Sequence, residues 1–126
     1  MKNDITTRRD IEQLVNTFYD KVQRDAIIGP IFIHVAKVNW DHHLPIMYSF
    51  WAGILLEERT YVGNPMMIHE ALNKKSPLLQ YHFDSWVRLF YETVDELFAG
   101  RNAEYAKEQG SQIAQLMHHK MRESEQ

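Results

Sequence analysis

Five side chains dispersed along the chain have the chemistry to hold or serve a bound group: Tyr19, Phe32, His43, His69 and Trp86. An imidazole ligates a metal through an unprotonated nitrogen while a neighbouring acceptor fixes its other nitrogen. Tyrosine and tryptophan present a hydrogen-bond donor on an otherwise apolar body. His69 is the strongest ligand candidate. It closes Pro65-Met66-Met67-Ile68-His69, directly after a Gly63-Asn64-Pro65 loop, on a short helix whose end offers free carbonyls for the second nitrogen. Four of them also have an ordinary explanation. His69 would serve as a half-buried histidine, His43 as a capping or solvent-facing one beside an exposed His42, Tyr19 as an interhelical hydrogen bond, and Trp86 as core.

Commoner chemistries have no motif to stand on. No glutamate is followed three residues later by histidine, so the paired carboxylate–histidine sites of di-iron bundles are absent. His69-Glu70 opens like a zincin motif, but position 73 is Asn. Neither a phosphate-binding Gly-Lys-Ser/Thr nor a Gly-x-Ser-x-Gly nucleophile turn occurs. With no cysteine, disulfides, thiolate metal sites and cysteine nucleophiles are excluded. A net charge of −3 argues against a nucleic-acid binder working through a basic face. The start lacks the apolar stretch of a signal peptide, and no run approaches the about 18 apolar residues of a membrane span, so a soluble, cytoplasmic protein is expected.

The 126 residues fit one domain, 1–126, with 1–6 and about 122–126 expected as flexible ends. Aromatics at 12%, with seven His and six Met, suit either a dense core or a cavity for a large planar ligand.

The elements that must position these residues are helical almost throughout. Ile11, Leu14, Val15, Phe18 and Val22 form one stripe, and Thr7 with Asp10 reads as a capping box that starts a helix near Arg8. Gly29-Pro30 breaks it, and Pro30 opens a short turn over 31–34. A second helix is expected after Asp41 as N-cap, carrying Leu44, Met47, Trp51, Ile54 and Leu55, with Pro45 inside its first turns and a ragged or delayed start as the consequence. Residues 57–65 read as a loop, 66–72 as a short helix and 73–77 as a polar connector. A third long helix over 79–99 lines up Leu79, Phe83, Trp86, Phe90, Val94 and Leu97, stopped by Gly100. Asn102 caps the last helix, whose buried side is Ala106, Gly110, Ile113, Met117 and Met121. The fold class is all-α, and the His118-His119 pair reads as a solvated tail feature.

In this order and spacing, Phe18-Tyr19, Gly29-Pro30-Ile31-Phe32, His43, Phe50-Trp51-Ala52-Gly53, Tyr61 to His69, and Phe83-Asp84-Ser85-Trp86 resemble the truncated haemoglobins, and within them group III. The resemblance runs from Ile11 to Met121. It implies a two-over-two helical sandwich enclosing haem b, with His69 as the proximal iron ligand and the first helix lost or reduced, the six residues before Thr7 leaving no room for a full-length one. Tyr19, His43 and Trp86 would form the distal wall. Phe32, Met47, Met66 and Phe83 would contact the haem. Pro45 and the long 73–77 connector depart from the family pattern.

With one neutral histidine on the iron, the open position would take dioxygen, carbon monoxide, nitric oxide or peroxide. Donors from Tyr19 and Trp86 would favour dioxygen over carbon monoxide and slow its release. His43 would either donate to the ligand or swing as a gate. Slow release suits redox work rather than transport, as a peroxidase-like or nitric oxide dioxygenase activity. With no flavin or nicotinamide domain, an external reductase would be needed. A helical interaction module without haem is the alternative, with every aromatic in the core.

Overall fold

Thr7 and Asp10 do close a capping box. The Thr7 side chain accepts from the Asp10 amide at 3.2 Å, and the Asp10 carboxylate accepts from the Thr7 amide at 3.1 Å. The helix that follows, α1 (Arg8–Arg24), buries the whole predicted stripe of Ile11, Leu14, Val15, Phe18 and Val22, with Tyr19 beside it. The computed structural model describes residues 2–31, 39–57 and 79–124, with side chains to 119. The expected short helix at 66–72, most of the 57–65 loop, the 73–77 connector and residues 32–34 lie outside the described residues.

Three further helices are described: α2 (Trp40–Leu55), α3 (Gln80–Leu97) and α4 (Arg101–Ser124). Packing joins α1 to α2 and α3 to α4, with α1 also against α3. This gives two pairs of helices laid over one another, the architecture expected.

Three boundaries differ from the expectation, each for a local reason. Helix α2 begins before Asp41, because the Asn39 carbonyl already accepts from the amides of His42 at 3.1 Å and His43 at 2.9 Å. The helix runs on through Pro45, so the start is early rather than late. Leu79 is not core. It sits at the N-cap of α3 and is 47% exposed, while Phe98 at the other end is buried just beyond the helix.

The third difference lies at α4. Asn102 falls inside its first turn, and the capping carboxylate belongs to Asp4, which accepts from the amides of Asn102 at 3.0 Å and Ala103 at 2.9 Å. Gly100, at φ 142°, makes the bend, and a Cβ there would lie 2.5 Å from the Asp4 carboxyl carbon. Residues 2–6, expected as a flexible end, are therefore packed down. Ile5 is fully buried, and the Asn3 carbonyl accepts from the Ala99 amide.

Burial by itself would raise the Asp4 pKa, but the amide donors of Asn102, Ala103 and Ile5 prevail and hold it below the usual carboxylate value. A depressed carboxylate stabilises the fold above its unfolded pKa and ceases to do so as pH falls through its folded one. Replacing Asp4 with alanine should cost about 1 kcal/mol at neutral pH. The gap between parent and variant melting temperatures should close under strong acid; a gap that stays constant with pH contradicts the cap.

The core centres on stacked rings. Trp51 and Phe90 lie 4.9 Å apart at 19°, and Phe90 and Trp86 lie 5.4 Å apart at 10°. Phe18 from α1 meets Trp86 and Phe90 edge-on, each at 5.2 Å. Gly110 lets α4 approach this stack, since a Cβ there would sit 2.8 Å from the Phe90 ring. Lys21 pairs with Glu96 at 2.6 Å, and Arg88 with Asp25 at 3.3 Å, linking α1 and its C-cap to α3. Arg8 donates to Ser49 at 3.0 Å, and the Tyr48 hydroxyl donates to Asn16. Helix α1, which carries Tyr19, is thus tied on both sides.

Candidate haem pocket

Tyr19 lies next to Phe18 on the inner side of α1 and is 7% exposed. Burial pushes its hydroxyl well above the ordinary tyrosine pKa, so it stays protonated. His43, on the second turn of α2, approaches it edge-on with ring centroids 5.3 Å apart. The His43 side chain is half-buried with Nε2 inside, whereas His42 beside it is exposed, as its position suggested.

A third ring completes the group. Trp40 lies 5.3 Å from Tyr19 and 5.7 Å from His43. Sequence reasoning misses Trp40 because it places the start of α2 after Asp41, leaving the tryptophan in the preceding loop. The available signal is the i, i+3 spacing of Trp40 and His43, which brings neighbouring turns onto one face.

Of the remaining predicted residues, Trp86 stands one ring further in. It is partly buried, and the ring contacts reach it from Tyr19 by way of Phe18. Met47 is buried in the same core. Phe83 belongs to a second buried cluster with Ile31, Ala114 and Met117, against which Trp86 also packs. His118, in the pair expected to be a solvated tail feature, stacks on Phe83 at 5.0 Å and 25°. An open groove of about 610 Å³ runs beside that stack between α3 and α4, lined by charged and polar residues such as Asp84, Arg88 and Gln115. His69, Phe32 and Met66 lie outside the described residues.

The donor set fits a haem. It combines buried neutral donors, an imidazole, a thioether and several flat rings, in a core otherwise aliphatic. No cluster of three or more metal-ligating side chains occurs among the described residues.

Helices paired two over two, with tyrosine and histidine facing one another inside, define a truncated globin. The chain belongs to the bacterial-like globin family, whose sequence profile matches residues 3–123. It is 35% identical over 101 residues to a group 3 truncated hemoglobin of Campylobacter jejuni, spanning 78% of this chain and 77% of that one. It is 32% identical over 76 residues to a group 1 truncated hemoglobin of Nostoc commune, covering 60% and 58% of the two chains. The crystal structure of group III truncated hemoglobin from Campylobacter jejuni superposes with a TM-score of 0.82 at 28% identity, covering 96% and 95%. Family membership supports haem and small diatomic gases as cofactor and ligand class.

Proposed function

We propose that this chain binds haem b through His69 and uses a polar distal wall of Tyr19, His43 and Trp86 to retain dioxygen for redox chemistry rather than transport. The observation that carries the reading is the burial of Tyr19 edge-on to His43 in a core of aromatic and aliphatic side chains. When bound, haem supplies an iron that takes a diatomic ligand and changes oxidation state. The protein's own contribution is to shape and polarise the space beside it.

Dioxygen draws negative charge onto its outer atom when ligated, and carbon monoxide draws less. The Tyr19 hydroxyl, kept protonated by burial, suits the former and is worth roughly 1–3 kcal/mol. The indole N–H of Trp86 is a donor only, so it adds preference in the same direction. Met47 and Phe83 would supply apolar contact, together with Phe32 and Met66. His69 would hold the iron.

Slow release suits oxidation of nitric oxide or reduction of peroxide, with electrons drawn from a separate reductase. A cytoplasmic setting belongs to the same proposal; among the described residues, no helix is long and apolar enough to cross a membrane. A thermal melt separates this reading from a helical interaction module. With hemin at a thousand times its dissociation constant, the chain should gain about 4 kcal/mol. Coincident melts with and without hemin would overturn the proposal.

A further inference from the structure

The buried side of α4 is built from small residues. Ala103, Ala106, Gly110 and Ala114 recur at helical spacing, all are buried, and the helix packs against α3. At Gly110 even a methyl group is too large. A Cβ there would lie 2.8 Å and 2.9 Å from Cδ2 and Cε2 of Phe90, and 3.7 Å from Cζ3 of Trp86. In an indole, Cζ3 lies across the six-membered ring from the carbon that carries the nitrogen. The α4 backbone therefore abuts the end of the Trp86 indole remote from its N–H. Alanine is the better residue for a helix interior, so the sequence forgoes helix stability at this position.

The Phe90 ring has little freedom to absorb a push. It is 1% exposed, Trp51 stacks on it at 4.9 Å, and Phe18 meets it edge-on at 5.2 Å. Those two neighbours are themselves at most 3% exposed. Trp86, stacked on the same ring at 5.4 Å and 10°, is only partly buried and has room to yield. Retreat of α4 is opposed at its start, where Asp4 holds the amides of Asn102 and Ala103. Close-packed interiors pass such a displacement on to the neighbour that can move.

We propose that Gly110 is a positioning residue for the Trp86 indole: its bare backbone seats the Phe90 ring, and that ring holds the indole where its N–H serves bound dioxygen. This rests on the haem-binding reading above, in which Trp86 is a distal donor, and assigns that donor its support. A hydrogen bond weakens as its donor tilts away from the acceptor, so a displaced indole serves the ligand less well. The test compares the hemin-loaded parent with Gly110→Ala, Phe90→Leu, Trp86→Phe, and each of the first two combined with Trp86→Phe. Gly110→Ala and Phe90→Leu should each release dioxygen about two- to tenfold faster, the partial loss of one hydrogen bond, with carbon monoxide release little changed. Trp86→Phe should be faster by itself, and neither added substitution should speed it further. In the infrared spectrum of the carbon monoxide form, the C–O stretch should move in both single variants in the direction Trp86→Phe moves it, and by less. In the double variants it should stay at the Trp86→Phe position.

Equal acceleration with and without the Trp86 N–H would mean that the substitutions merely loosen the pocket, and would overturn the proposal. A Gly110→Ala chain that melts above the parent with an unchanged stretch would mean that the methyl is accommodated without moving the rings, and would overturn it equally. Phe90→Leu removes the link without adding a methyl, so it decides the matter should Gly110→Ala fail to take up hemin. A parent without a Soret band brings down the haem reading and this inference together, and unchanged dioxygen release in Trp86→Phe removes the indole from the distal wall and this inference with it. Faster release in Trp86→Phe, with parent rates in both Gly110→Ala and Phe90→Leu, brings down the inference alone.

Discussion

Tyr19→Phe should release dioxygen about 10- to 100-fold faster than the parent, while carbon monoxide release changes little. The substitution removes one oxygen and keeps the ring, so the contacts to Phe18 at 4.9 Å and to Trp40 and His43 at 5.3 Å persist. What is lost is a buried donor that stays protonated at any physiological pH. A donor of that kind contributes roughly 1–3 kcal/mol to a partly charged ligand, and 1.4 kcal/mol is a factor of about ten in rate. Stopped-flow displacement of dioxygen by carbon monoxide reads the rate directly. An unchanged dioxygen rate would remove Tyr19 from the distal wall and leave it as a core tyrosine.

His69→Gly should weaken haem retention by at least about a hundredfold, since losing even a group that merely orients a metal ligand costs about 10- to 100-fold. Tyr19 is kept neutral by burial, which makes it a poor substitute ligand. Free imidazole added to the variant should restore the spectrum in part, because it fills the space the side chain vacates. Restoration separates loss of a ligand from loss of the fold. Full retention of haem by the variant would move the proximal role to another residue.

Where a structural cause is local, it is legible in the amino-acid sequence. The α1 stripe and the Thr7–Asp10 box are decided by neighbours within a turn or two, and both are found as read. Tyr19 and His43 stand out by residue type and position alone, and they do meet.

Local pattern fails where two states share one signal. Leu79 continues the apolar period of α3, yet a period alone does not separate the last buried residue from an exposed N-cap. Asp41 and Asn39 are equally good capping types, so residue type does not choose between them; the Asn39 carbonyl takes the first helical bonds, and the misplaced boundary hides Trp40. The Asp4 cap of α4 is invisible for a different reason. Its two partners lie 98 and 99 residues along the chain, a distance over which helical spacing carries no information.

A porphyrin held by one imidazole is the central claim, and the visible absorption spectrum during titration with hemin tests it most directly. A sharp Soret band that grows to saturation at one equivalent in the parent, and is largely lost in His69→Gly, is the expected result. A spectrum no different from free hemin in the parent, or the same saturating band in both proteins, would contradict it.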